Sequence, residues 1–277
     1  MQPVVVLSIA GSDSGGGAGI QADLHSFAAA GTFGTTAITA ITAQNTIGVT
    51  AVHVLDPQLV LAQIDAVLDD FHVAAIKTGM LGNAAVVNAV AERLSLVEVP
   101  LVVDPVLIST TGSLLLDEGG LEAYREHLLG RAQVVTPNRD ELAALLGRSA
   151  SSISTTEELR VGAIALSMMT NTVVVAKGGH VRPVDGRVVD LVVRGDHVRA
   201  LPQPYLSTNN DHGTGCSFAA SLAAHLGRGL RMDSAINEAQ AFVHRALSSA
   251  STWKLGHGHG PIDHHDLDTR SEQSRVS

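Results

Sequence analysis

The chain has 277 residues, of which 45% are hydrophobic, 16% charged and only 3% aromatic. That is ample for one large core and slightly long for a single average domain. A formal charge of −9 argues against nonspecific nucleic-acid binding and against an anionic membrane surface, and one cysteine excludes an intramolecular disulfide.

The opening Met1-Gln2-Pro3-Val4-Val5-Val6-Leu7 lacks a basic n-region, and its apolar run ends at Gly11-Ser12-Asp13. No stretch approaches the roughly 20 apolar residues of a membrane-spanning helix. The expectation is a soluble cytoplasmic protein without membrane or nucleic-acid partners. Short β-branched runs then alternate with helical patterns. Val4 to Ala10 reads as a buried strand, followed by a helix over Ala18–Ala30. A strand over Thr36–Ala43 closes at Gln44-Asn45, and a helix follows over Pro57–Asp70. Val73–Ile76 closes at Lys77-Thr78-Gly79 before a helix over Ala84–Leu94. Leu101–Val103 closes at Asp104-Pro105, and Gln133–Val135 closes at Thr136-Pro137-Asn138. A helix over Glu157–Met168 precedes Thr172–Ala176, which closes at Lys177-Gly178-Gly179. Arg187–Val193 and His197–Leu201 read as a hairpin turning at Gly195-Asp196. Ser217–Leu226 reads as an Ala-rich helix, and the tail over 266–277 is polar. The pattern predicts an α/β fold: one domain over 1–265, a mostly parallel sheet with helices on both faces.

In such sheets ligands bind beyond the carboxyl ends of the strands. Here that edge gathers Asp13, Gln44, Lys77, Asp104, Asn138 and Lys177. Polar residues return at any strand end, which explains each of them singly but not the whole set. Gly11-Ser12-Asp13-Ser14-Gly15-Gly16-Gly17-Ala18-Gly19 leaves the first strand and opens a helix, as either a small-ligand loop or a tight turn. No Gly-Lys-Ser/Thr follows, so it is not a Walker A loop. Asp104 and Glu141, at neighbouring strand ends, have the chemistry to hold Mg²⁺ through water. Glu141 has an equally simple reading as a helix-start acid. His257, His259, His264 and His265 are separated by glycines in a way that favours a turn over a metal site.

The most informative segment is Asp211-His212-Gly213-Thr214-Gly215-Cys216, just ahead of the Ala-rich helix. Its glycines let amide N–H groups converge, and the helix dipole adds positive potential, a nest suited to a transferring phosphoryl group. Cys216 at the helix start is expected to have a stabilised thiolate, against the plainer reading of a buried small hydrophobe.

In order and spacing these segments resemble the hydroxymethylpyrimidine/phosphomethylpyrimidine kinases of thiamine biosynthesis, in the ribokinase-like superfamily. The carrying residues are Ala10-Gly11-Ser12-Asp13, Gly19-Ile20-Gln21-Ala22-Asp23, Thr42-Ala43-Gln44-Asn45-Thr46 and Lys77-Thr78-Gly79-Met80-Leu81. They continue through Val102-Val103-Asp104-Pro105-Val106, Thr136-Pro137-Asn138 with Glu141, Lys177-Gly178-Gly179-His180, His212-Gly213-Thr214-Gly215-Cys216 and Gly258-His259-Gly260-Pro261. The resemblance implies a ribokinase-like three-layer sandwich, a homodimer, and ATP with Mg²⁺. It implies that Gln44 meets the aminopyrimidine edge, with Gly11 and Asp23 as secondary substrate contacts. Lys177, Asn138 and Gly213 would meet the nucleotide, and Asp104 and Glu141 the metal. Gly213, Thr214, Gly215 and Cys216 would form the catalytic loop, with Cys216 taking the proton of the attacking hydroxyl. Asp211, Asn209 and Tyr205 depart from the family's usual residues, and Leu107–Gly112 lacks a lysine common there. These departures bear on a second phosphorylation, of the monophosphate. The same residues leave two other readings: a pyridoxine/pyridoxal kinase and a non-catalytic vitamin-binding protein.

Overall fold

The computed structural model describes residues 2–107 and 116–267. The polar tail at 266–277 therefore lies almost wholly outside the described residues, as do residues 108–112 of the Leu107–Gly112 stretch. Along the chain the elements are β1 (Val5–Asp13), α1 (Gly19–Ala29), β2 (Phe33–Gln44), β3 (Val49–Val54), α2 (Pro57–Asp70), β4 (Val73–Thr78), α3 (Ala84–Leu94) and β5 (Leu101–Val103). Then come α4 (Glu118–Ala123), β6 (Val134–Val135), α5 (Arg139–Leu145), α6 (Thr156–Thr170), β7 (Val173–Ala176), β8 (Arg187–Arg194), β9 (His197–Pro204), α7 (Thr214–Gly227) and α8 (Met232–Ser249).

The described strands form one sheet in the order β3-β2-β1-β4-β5-β6-β7-β8-β9. From β2 to β7 every neighbouring pair is parallel; β3, β8 and β9 add antiparallel edges. Strand alternation decides the layers. Leu7, Ile76, Val103, Val135 and Val174 face one side and pack with residues of α2, α3, α5 and α6. Val6, Ala75, Val102, Val134 and Val175 face the other and pack with α1, α7 and α8. Both faces are therefore dry, which is why the central strands read as continuous apolar runs. The small side chains of α7, with Ala219, Ala220, Ala223 and Ala224 all buried, let it lie close against the sheet.

Helix starts are chemically marked. Asp56 accepts from Gln58 N, and Asn83 from Val86 N. Asn138 and Thr155 each form a capping box, with Glu141 and Glu158 respectively. α7, like α1 and α8, begins without a side-chain cap; its N-cap is Gly213.

Several elements exceed what the sequence suggests, β1 and β3 most clearly. β1 runs on to Asp13 through a register shift between Ala10 and Ser12, which carries the chain out over the sheet edge. β3 is an edge strand with mostly exposed residues, so burial left little apolar pattern to read. The sequence reading also named neither α4 nor α8.

Candidate active site

The strand ends, the first Gly-rich loop and the start of α7 surround a cavity of about 330 Å³. Gly11, Gln44, Asp104, Asn138, Glu141, Lys177, Gly213, Thr214, Gly215 and Cys216 all line it. Asp23 does not, which corrects its assignment as a substrate contact. It is fully buried, accepts from Ser8 Oγ at 2.5 Å, and holds Lys77 Nζ at 2.8 Å through both carboxylate oxygens. Its task is to place Lys77, which does reach the cavity. Burial alone would lower the Lys77 ammonium, but Asp23, Cys216 and Asp104 around it outweigh that and raise it.

Two loops from distant parts of the chain meet at the cavity floor. Gly213 has φ +82°, and a Cβ there would overlap the carbonyl oxygen of Gly17. Asp13 organises the Gly17 side: it accepts from Gly15 N at 2.7 Å and Ala18 N at 2.9 Å. Its Oδ2 lies 2.9 Å from His212 Nε2, which ties the first loop to the second. Behind the second loop, Gly260 O accepts from His212 N at 3.0 Å, and Thr46 O accepts from His259 N at 2.9 Å. The histidine–glycine segment is thus a strap that fastens the loops, as a glycine-shaped turn would.

At the α7 start, Thr214 N makes a long 3.3 Å bond to Asp211 O. Gly215 and Cys216 lie in the same first turn, which has no side-chain cap, and both line the cavity; first-turn amides of this kind are available to an anion. The Lys177 ammonium lies beside them; a Cβ on Gly215 would come within 2.8 Å of it. Lys177 bonds Asp104 Oδ1 at 3.2 Å, and Thr136 Oγ1 donates to the same oxygen at 2.9 Å. Burial opposes the charge on Lys177, yet Asp104 and Glu141 more than offset it and raise its value.

Cys216 does not have the stabilised thiolate expected at a helix start. Burial pushes its thiol up to about 12, with Asp104 and Asp23 adding to that and Lys77 and a Gly19 hydrogen bond opposing it. The dipole of one helix turn loses to desolvation and two nearby carboxylates.

Asn138 Oδ1 is committed to capping α5, with bonds from Asp140 N at 2.9 Å and Glu141 N at 3.0 Å. Its NH₂ group is what remains for a ligand. Glu141 returns the cap, accepting from Asn138 N at 2.7 Å. The helix-start reading of Glu141 is therefore realised, and the residue still lines the cavity. Burial, helped by Asp104 and opposed by Lys177, pushes its carboxyl up to about 8. The donor set fits Mg²⁺: the Asp104 and Glu141 carboxylates line one cavity, which has room for retained waters. Among the described residues no three-ligand histidine, cysteine or carboxylate cluster forms.

The sequence pattern places Asp13 and Lys77 at this edge without indicating a role, and it indicates none for Thr42 or Met80. All four line the cavity. Tyr124, fully buried with its hydroxyl donating to Gly79 O at 2.8 Å, carried no signal at all.

A phosphomethylpyrimidine kinase family model matches residues 13–263, spanning every loop just described. The chain belongs to the phosphomethylpyrimidine kinase family. It is 44% identical over 260 residues to a hydroxymethylpyrimidine/phosphomethylpyrimidine kinase of Rhizobium meliloti, covering 94% of this chain and 96% of the relative. Among solved structures it resembles an ADP complex of Bacillus subtilis pyridoxal kinase, with a TM-score of 0.86 at 30% identity over 97% of this chain and all of that one. It also resembles the phosphomethylpyrimidine kinase of Clostridium difficile, with a TM-score of 0.75 at 34% identity over 88% and 99%. The phosphomethylpyrimidine kinase family thus shares its ribokinase-like fold with pyridoxal kinases. No described helix is long and apolar enough to cross a membrane.

Two outcomes follow from this geometry. Asp23→Asn strands a buried ammonium and should destabilise the fold by about 3–5 kcal/mol, read as a drop in the denaturation midpoint. Gly213→Ala forces a side chain into a left-handed backbone and against Gly17. It should cost at least about 1–3 kcal/mol and abolish phosphate-dependent ligand binding, measured by calorimetry.

Proposed function

We propose that this chain transfers the γ-phosphoryl group of ATP to the hydroxymethyl group of 4-amino-5-hydroxymethyl-2-methylpyrimidine, and then to the resulting monophosphate, in thiamine biosynthesis. The observation that carries the proposal is the uncapped start of α7, with Lys177 and Cys216 beside it, opening into the cavity that holds Gln44. A flat amino-heterocycle at Gln44 would have its hydroxymethyl group on the side of that amide seat. The reading includes a single domain over 1–265, a homodimer and a cytoplasmic location, supported by the resemblance carried by these motifs.

The chain's own groups divide the work. The Gly215 and Cys216 amides, with Thr214 once its long turn bond yields, receive charge on the transferring group. Lys177 neutralises the nucleotide side, and the Asn138 NH₂ group orients it. Asp104 and Glu141 would hold Mg²⁺, which supplies charge compensation for the triphosphate. Cys216 takes the hydroxyl proton, a role that requires its thiol to ionise first; Lys77 is the cation placed to favour that.

The second reading is a pyridoxal kinase, favoured by the closer backbone match to the Bacillus subtilis enzyme. An ATP-consumption assay offering the pyrimidine, its monophosphate and pyridoxal decides: turnover of pyridoxal alone overturns the proposal. Cys216→Ala should lower kcat far more than it raises the KM for pyrimidine. At saturating Mg²⁺, an ionised thiol acting as base makes kcat climb about tenfold per pH unit between about pH 7 and 9. A flat profile would leave catalysis to the amides. Glu141 works in the same direction through the metal: protonated below about 8 and ionised above it, it should tighten Mg²⁺ activation as pH rises. Glu141→Gln should remove that dependence.

A further inference from the structure

We infer that the Gln44 side-chain amide is held with its NH₂ group toward Thr42 and its carbonyl oxygen toward His212, and that this fixed polarity aims the substrate's hydroxymethyl group at the seat ahead of Cys216. The orientation follows from counting protons at both ends of the amide. Thr42 Oγ1 lies 2.9 Å from Ser12 O and 3.1 Å from Gln44 Oε1. A backbone carbonyl has no proton, so the single hydroxyl proton goes to Ser12 O. Thr42 Oγ1 then offers Gln44 only lone pairs, and the amide end facing it must donate.

At the other end, His212 Nε2 lies 2.9 Å from Asp13 Oδ2 and 3.2 Å from Gln44 Nε2. Burial of Asp13 would raise its carboxyl, but bonds from His212, Gly15 and Ala18 outweigh this and hold it below the ordinary carboxylate value. An ionised carboxylate accepts only, so His212 Nε2 carries a proton. An NH₂ group 3.2 Å away would set donor against donor, whereas a carbonyl oxygen shares that proton. Amide oxygen and nitrogen have the same shape, and a half-turn of the terminal torsion exchanges them. The two counts use different protons and require the same half-turn.

Once turned, the amide keeps one N–H and one lone pair for a ligand. The N–H lies on the Thr42 side and the lone pair on the His212 side. An aminopyrimidine then binds with its ring nitrogen at the N–H and its amine at the oxygen. In the proposed substrate the hydroxymethyl group is the amine's neighbour on the side away from that ring nitrogen. It therefore lies on the His212 side, and His212 leads directly into Gly213–Cys216. The opposite polarity would aim the same group toward Ser12, away from the phosphoryl seat. Thr42 and His212 are in this sense positioning residues for a productive pose. The amide orientation stands independently of the proposed function; only its consequence for the pose rests on that reading.

The test compares Thr42→Val with Thr42→Ser. Thr42→Val removes the acceptor at one end and leaves the amide to His212 alone, so the productive pose is held less often and kcat for the pyrimidine should fall about five- to tenfold while its KM changes little. Thr42→Ser keeps the hydroxyl and should retain wild-type kcat. Unchanged kcat in Thr42→Val, or equal loss in both variants, overturns the positioning role of Thr42. A second measurement needs no substrate and no variant fold: in ¹⁵N-labelled wild-type protein, the Gln44 side-chain NH₂ protons should show a nuclear Overhauser contact to the Thr42 methyl group. Contact to the His212 ring instead overturns it, whether or not the pyrimidine proves to be the substrate.

Discussion

The site depends on two backbones touching where no side chain fits. Gly213 must approach the Gly17 carbonyl, and it does so in a left-handed conformation that glycine adopts without strain. The same residue opens α7, so the contact that joins the loops also leaves the first-turn amides uncapped. Elsewhere in the chain, Asp56, Asn83, Asn138 and Thr155 spend side chains on this position. α7 has no such side chain, and unlike the start of α8 its first turn lines the cavity, which is what the proposed anion seat rests on.

Charge balance shapes everything else in the cavity. Among the described residues its lining carries two lysines and no arginine, against Asp13, Asp104, Asp140, Glu141 and Asp211. Both lysines are already engaged, Lys77 with Asp23 and Lys177 with Asp104. On the proposed reading, such a site would receive a triphosphate by re-pairing Lys177 and recruiting a cation, the task proposed for Asp104 and Glu141. The high value of the Cys216 thiol belongs to the same balance, since a third anion on this floor would face Asp104 and Asp23 together.

Much of this was legible in the sequence because burial writes itself into periodicity. The parallel strands are apolar on both faces, and their polar ends marked the cavity residue by residue. Pro57–Asp70 and Ala84–Leu94 match observed helices to the residue because Asp56 and Asn83 are chemical start signals. β3 escaped because an exposed edge strand has no core to answer to. Asp23 was misplaced because a charge inside a helical pattern gives no hint of a fully buried partner 54 residues away. The Cys216 thiolate was misjudged because sequence shows a helix start but not how deeply it sits.

The strap at Gly258 sets a temporal order on the molecule. His257 N and Gly258 N both bond Thr46 Oγ1, across 211 and 212 residues of chain. His212 meets Asp13 across 199. A nascent polypeptide emerging from the ribosome can close most of its sheet early, yet the pocket has no rim until synthesis has passed the glycine–histidine run. Seating of the two loops therefore waits until the glycine–histidine run has been made.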